Sequence, residues 1–267
     1  MKLNANGIEI NYEIEGEGPL VTFSHSLACN LSMWDEQVRA LRGRHRVLRY
    51  DTRGHGQTSA PTGAYTLDQL ADDLKGLLDG LGVAATHFVG LSMGGMIGQV
   101  LALKHPAMVQ SLTLCDTTSR YPPGAAAVWE ERIKTVGAQG MEPMVAPTLE
   151  RWFTPPFRAR RKDLMGTIGT MIRRTPAAGY VGCCHALPKI NVTERLRDVR
   201  CCPALVIVGE DDPGTPVEMA RDIHAALPVA ELAVLCRASH LSNVEQPGEF
   251  NRALGGFLDK LSGRTKL

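Results

Sequence analysis

Gly90-Leu91-Ser92-Met93-Gly94 places a serine between two glycines, each two residues away. Before it runs an apolar stretch with aromatic and β-branched residues, 86–89. After it runs an alanine- and leucine-rich stretch, 96–105, which Pro106 ends. A strand that turns sharply into a helix holds the residue at the bend in a strained backbone conformation and lifts its side chain clear of the sheet. The residues two before and two after then come too close for a β-carbon, and glycine answers that at both positions. The pattern predicts a nucleophile elbow with Ser92 as the nucleophile. The backbone N–H of Met93 opens the following helix and faces the same space, where it can donate to an oxyanion.

A serine hydroxyl attacks poorly near neutral pH unless a base takes its proton, and the base needs a group to orient it. The chain has eight histidines. His45, His87, His105 and His224 fall at helix ends or ahead of strands, where capping and surface roles are the default, and His185 falls in a helical stretch. His25 and His55 follow strands but precede the nucleophile. His240 comes after the last predicted strand, in Arg237-Ala238-Ser239-His240-Leu241. It alone completes the order serine, acid, histidine that elbow enzymes use. The acid belongs at the end of the preceding strand, where Glu210, Asp211 and Asp212 stand together before Pro213.

These residues need a scaffold, and the chain alternates strand with helix. Residues 7–15 alternate apolar and polar as a half-buried edge strand does, and Gly16 and Gly18 mark a turn. Further strands are predicted at 20–23, 46–50, 109–115, 204–208 and 231–235, with helices at 33–41, 67–81, 217–227 and 247–261. This rhythm implies an α/β fold with a mostly parallel central sheet and helices on both faces. From 117 to 191 it stops: Pro122-Pro123 and Pro155-Pro156 interrupt helical stretches rich in methionine, arginine and tryptophan. The chain reads as one α/β core, 1–116 and 192–267, carrying an inserted helical cap, 117–191.

Composition excludes several classes. The 267 residues can bury a sizeable core without staples. Lys plus Arg total 29 against 28 Asp plus Glu, so no overall field recruits nucleic acid or an anionic membrane. The amino terminus lacks the apolar core of a signal peptide, and no stretch approaches the roughly 18 apolar residues of a membrane span. The seven cysteines include the adjacent pairs Cys183-Cys184 and Cys201-Cys202 but no C-x-x-C spacing. They read as reduced thiols of a cytoplasmic protein, mostly buried, with no structural metal. A monomer and a homodimer are both compatible with these features.

With elbow, acid loop, terminal histidine and the loop after the 20–23 strand in this order, the chain resembles the α/β-hydrolase fold over nearly its whole length. The resemblance implies Asp212 as the acid, through its spacing from Gly209. It also implies the Leu27 N–H as second oxyanion donor, since His25-Ser26-Leu27 resembles a His-Gly-x segment, with serine at the usual glycine. Asp51-x-Arg53-Gly54-His55-Gly56 is similar to another segment of that fold, and an Asp51–Arg53 tie is expected to hold its loop. Serine at the elbow argues against epoxide hydrolases and haloalkane dehalogenases, which use aspartate there.

A narrower resemblance rests on Ser24-His25-Ser26-Leu27 with Leu31-Ser32-Met33-Trp34-Asp35, on Arg151-Trp152-Phe153 and Gly179-Tyr180-Val181-Gly182-Cys183-Cys184, and on His240-Leu241-Ser242-Asn243-Val244-Glu245-Gln246-Pro247. Together these look like the 3-oxoadipate enol-lactonases of bacterial aromatic degradation, the β-ketoadipate pathway. The substrate implied is a small anionic lactone, and no metal or organic cofactor is implied. An acetate arm entering an apolar pocket needs a cation or strong hydrogen bonds. Arg132 and Arg151 are the expected partners, because Trp129 and Trp152 beside them are expected to line the cap's inner side. Lys134 and Arg158 are less favoured. The rivals are a general carboxylesterase, a perhydrolase-like enzyme, a C–C-bond hydrolase on the same three residues, and a receptor that only binds. Covalent labelling by a fluorophosphonate separates the receptor from the enzymes.

Overall fold

The computed structural model describes residues 1–200 and 202–264. Among them eight strands form one sheet: β1 (Lys2–Ala5), β2 (Ile8–Glu15), β3 (Leu20–Ser24), β4 (Arg46–Tyr50), β5 (Thr86–Leu91), β6 (Val109–Cys115), β7 (Ala204–Gly209) and β8 (Ala230–Leu235). Their order is β1-β2-β4-β3-β5-β6-β7-β8. The pairs β1·β2 and β2·β4 are antiparallel and the others parallel. Strands β5, β6 and β7 are covered on both faces, and their apolar side chains are buried accordingly. Phe88, Val89, Leu112, Leu114, Ile207 and Val208 are fully buried.

The expected edge strand at 7–15 is not the edge, because β1 pairs outside it. Four residues with two polar side chains gave too little alternation to read as a strand. The turn did carry a signal: Asn6 and Gly7 both have positive φ, 47° and 77°, and join Ala5 to its partner Ile8. Asn-Gly at a two-residue hairpin turn is what that backbone favours.

The helices are α1 (Asp35–Leu41), α2 (Leu67–Gly80), α3 (Met93–Lys104), α4 (Ala125–Gln139), α5 (Glu142–Trp152), α6 (Pro155–Arg160), α7 (Lys162–Arg174), α8 (Ala177–Ala186), α9 (Val217–Ala226), α10 (Ser242–Glu245) and α11 (Pro247–Arg264). The Thr66 hydroxyl caps α2 by accepting the Gln69 N–H, and the face bearing Leu70, Leu74, Leu77 and Leu78 is buried. The segment from 117 to 191 contributes α4 to α8 and no named strand. Its two ends meet at one bridge, Arg120 with Asn191, beside the bond from Val192 N–H to the Ser119 carbonyl. Six of the seven cysteines lie among the described residues. Cys29, Cys115, Cys183 and Cys184 are buried free thiols, Cys236 is an exposed one, and Cys202 is buried. The reading of Cys201 lies outside the described residues.

Candidate active site

Ser92 stands between the end of β5 and the start of α3, with φ 56° and ψ −113°. A β-carbon on Gly90 would lie 2.2 Å from the Gly94 carbonyl oxygen, so the expected closeness of these two glycines is present. A β-carbon on Gly94 would instead strike the Ser24 carbonyl oxygen at 2.1 Å, so its glycine answers to the neighbouring strand. The Ser92 carbonyl accepts from the Thr117 hydroxyl at 2.7 Å, and its N–H donates to the Cys115 carbonyl at 2.9 Å. The strained bend is therefore pinned on both sides.

His240 Nε2 lies 2.9 Å from Ser92 Oγ, and His240 Nδ1 lies 2.8 Å from Asp212 Oδ2. Both ring partners are buried, His240 being 6% exposed and Asp212 3%. Asp212 Oδ1 also accepts the N–H groups of Gly214 and Thr215, and Oδ2 accepts the Thr215 hydroxyl at 2.7 Å. Burial pushes the Asp212 pKa up. The charge and hydrogen bond of His240, with the Thr215 bonds, outweigh it and hold the group below its ordinary value. Glu210 and Asp211 are both exposed and leave the imidazole to Asp212. Thr215 was missed at the sequence level. Its signal is position: three residues after the acid, a hydroxyl is in reach of the carboxylate in a tight turn.

The loop bearing Leu27 is held from the side. Ala28 has φ 62°, and its N–H donates to His55 Nε2 at 3.0 Å. The Thr52 N–H donates to His25 Nε2 at 2.9 Å, and the two rings stand 5.2 Å apart. His25 and His55 thus clasp two loops, with their Nε2 atoms accepting and so unprotonated. Among the described residues no protein acceptor engages the N–H of Leu27 or Met93. Leu27 lines the cavity that contains Ser92 and His240.

Burial lowers the pKa of His25 from 6.5 to about 4 and that of His55 from 6.5 to about 3, with the neighbouring ring adding to the fall at His55. Unfolded, both rings take protons near pH 6.5. Folded, they refuse them until the lower values, so folded stability is lost as pH falls from about 6.5 toward 4. The loss from these two groups is expected to approach about 2.7 kcal/mol per pH unit near pH 5, read as the shift of urea midpoints. His55→Gln, whose amide oxygen can take the Ala28 N–H, is expected to remove about half of that slope. An unchanged slope would show that His55 is already protonated.

The expected Asp51–Arg53 tie is absent. Asp51 spends its oxygens on the N–H groups of Leu31 and Gln57 and on the Asn11 amide. Arg53 makes a two-pronged pair with Asp73 of α2, at 2.7 and 2.6 Å. Asp73 interrupts the apolar face of α2 between Leu70 and Leu77, and a buried carboxylate at such a position requires a partner.

The cavity is about 410 Å³ in volume, and α4, α5 and α8 supply much of its wall. Trp129, Arg132, Arg151 and Trp152 all line it, together with Tyr121, Thr148 and Tyr180. Lys134 and Arg158 do not. The Arg132 guanidinium lies over the Trp129 ring, 4.6 Å from its centre. Among the described residues the Arg151 guanidinium hydrogen-bonds only the Thr148 hydroxyl, at 3.4 Å. Burial, and then the charge of Arg132, pull the Arg151 pKa down to about 10. Neither arginine has a carboxylate partner among the described residues.

The C-terminal end of α5 is stitched to the loop that carries His240. The Ser239 hydroxyl donates to the Arg151 carbonyl at 2.9 Å, and the Leu241 N–H donates to the Trp152 carbonyl at 3.2 Å. Buried Glu245 accepts the N–H groups of Thr154 and Ser239, at 3.1 and 2.9 Å, and the Thr154 hydroxyl.

The model of the alpha/beta hydrolase fold matches residues 19–247. The 3-oxoadipate enol-lactonase 2 of Acinetobacter baylyi is 36% identical over 262 residues, 97% of each chain. A relative from Pseudomonas savastanoi pv. phaseolicola that carries the carbamate-hydrolase name RutD is 30% identical over 94% of this chain and 98% of its own. Among solved structures, the enol-lactonase from Burkholderia xenovorans LB400 superposes with a TM-score of 0.93. It is 36% identical, with 97% of this chain and 100% of that one covered. On its sheet, its elbow and these likenesses, the chain belongs to the α/β-hydrolase fold family.

Proposed function

We propose that the protein is a serine hydrolase that opens 3-oxoadipate enol-lactone to 3-oxoadipate through an acyl-enzyme, a step of aromatic-compound breakdown. We also assign residues 117–191 as the cap that selects this substrate. One observation carries the reading: the cavity that holds Ser92 and His240 also holds two arginines, Arg132 and Arg151, without carboxylate partners among the described residues. Cations without carboxylate partners in a pocket lined by apolar and aromatic side chains suit an anionic substrate, and a planar guanidinium matches a carboxylate with two parallel hydrogen bonds. The two likenesses to enol-lactonases support the same choice.

Ser92 gives its proton to His240 Nε2 and attacks the ring carbonyl of the lactone. The amides of Leu27 and Met93 hold the oxyanion, each worth about 3–4 kcal/mol when aligned. Collapse breaks the ring C–O bond, His240 returns the proton to the departing enolate oxygen, and the enol becomes a ketone, which draws the ring opening forward. Water, deprotonated by His240, then attacks the acyl-enzyme and releases the product with Ser92 restored. Asp212 holds the imidazole in the required tautomer throughout. The free thiols of Cys29, Cys115, Cys183, Cys184 and Cys236 suit a reducing, cytoplasmic compartment.

The test is an ultraviolet assay of enol-lactone opening beside a panel of p-nitrophenyl esters. Arg151→Met, or Arg132→Met if that residue carries the contact, is expected to raise KM for the anionic lactone at least about tenfold. Hydrolysis of neutral p-nitrophenyl acetate should stay within about twofold. Tenfold corresponds to about 1.4 kcal/mol of lost charge contact. If both single variants keep the wild-type KM, the carboxylate is held elsewhere. If wild type prefers the neutral esters outright, the protein is a general carboxylesterase.

A further inference from the structure

We infer that Asp116 is a positioning residue of this site: its carboxyl group ties the loop that carries the acid to the loop that carries the base, and so fixes Asp212 against His240. The inference rests on the assignment of those two residues just made. Asp116 is the first residue beyond β6, is fully buried, and has φ 43°, a left-handed backbone that a side-chain-bearing residue adopts only when its surroundings compel it. Its own N–H continues the ladder to the Ile207 carbonyl of β7 at 2.9 Å. Beyond that point its two oxygens part company. Oδ1 accepts the N–H of Gly209 at 2.8 Å, where the acid loop leaves β7, three residues before Asp212. Oδ2 accepts the Ser242 hydroxyl at 2.5 Å, two residues beyond His240.

One carboxyl group therefore spans two loops that are far apart in sequence. The loops also meet through the Asp211 N–H and the Ala238 carbonyl, 2.9 Å apart, on the upstream side of His240. The Asp116 contact lies downstream, so the base is held on both sides. Burial pushes the Asp116 pKa well up, and the negative charge of Asp212 adds to the rise. Burial and the nearby Asp212 charge both favour the protonated form of this carboxyl, in which one oxygen can still accept from Gly209 while the other shares a proton with the Ser242 hydroxyl. No step of the reaction uses Asp116, and a left-handed position would otherwise favour glycine or asparagine. Asparagine would keep both contacts through its oxygen and its amide.

The test compares kcat and KM of the whole protein on p-nitrophenyl acetate for four variants. Asp116→Gly keeps the backbone conformation and loses the carboxyl. It should lower kcat about 30- to 100-fold with KM within about twofold, because misplacing a catalytic group by roughly 1 Å is felt on that scale. Asp116→Asn should bring kcat back to within about threefold of wild type. Ser242→Ala, which cuts one arm without touching the β6 end, should lower kcat about fivefold. Wild-type kcat in Asp116→Gly, or an Asn variant as slow as the Gly variant, overturns the inference. If Asp116→Gly does not fold, Ser242→Ala decides in the same way, with wild-type kcat as the overturning result. His240→Ala is measured alongside: full activity there removes the base and the tie with it, whereas an inactive His240→Ala beside a fully active Asp116→Gly removes the tie alone.

Discussion

Ser92→Ala is expected to lower kcat on the order of 10⁵-fold and to leave folding intact. The change deletes the one oxygen that lies 2.9 Å from His240 Nε2. Alanine meets the same strained φ of 56° that serine already endures, and the bonds from Thr117 and to Cys115 use the Ser92 backbone. Stability should therefore stay close to wild type, read as a melting temperature within about 2 °C. What activity survives would come from substrate binding and from the two amide donors. The fluorophosphonate adduct on the protein should vanish in the same variant. A Ser92→Ala protein that keeps a tenth of wild-type turnover takes Ser92 out of the mechanism.

Asp212→Asn should lower kcat on the order of 10⁴-fold. An amide in place of the carboxylate can present an N–H to His240 Nδ1, and that favours the tautomer whose Nε2 carries the proton and cannot accept one from Ser92. It also removes the negative charge that stabilises the imidazolium during attack. Asp211→Asn and Glu210→Gln should each change kcat by less than about tenfold, since both carboxylates are exposed and neither bonds the imidazole. A crippled Asp211→Asn beside a healthy Asp212→Asn would mean that the acid loop shifts register in solution. Measuring all three on one neutral ester keeps contacts to Arg132 and Arg151 out of the comparison.

Most of the fold was legible because its signals are local. The strands at 46–50 and 109–115 and the serine bend announce themselves through apolar runs and glycines at fixed offsets, and the observed elements fall on them. The β1 strand escaped because four residues hold too little periodicity, although Asn6-Gly7 spelled its turn. Place at a strand end narrowed the acid to three adjacent carboxylates, and the family-like spacing from Gly209 singled out Asp212. The bond itself, from Asp212 to His240, is a contact across 28 residues that only the fold displays. The Arg53 partner failed for a related reason. Proximity in sequence suggested Asp51, but backbone amides had already taken that carboxylate, and the partner came from α2, 20 residues on. Asp116 is invisible to motif reasoning, because its worth depends on two loops that the sheet brings to either side of it.

The stitching of α5 to the His240 loop bears on how such a protein can change its diet. Arg151 supplies a guanidinium to the cavity with its side chain and an acceptor to Ser239 with its backbone. Any tilt of this helix end that re-aims the guanidinium also drags the imidazole, so under the proposed function recognition and chemistry share one rigid ruler there. Helix α4 offers Trp129 and Arg132 to the same cavity, and no hydrogen bond between α4 and that loop is present among the described residues. Variation in substrate range, natural or by directed evolution, should accordingly accumulate on α4 first, where an altered side chain moves a wall and leaves the reacting atoms in register.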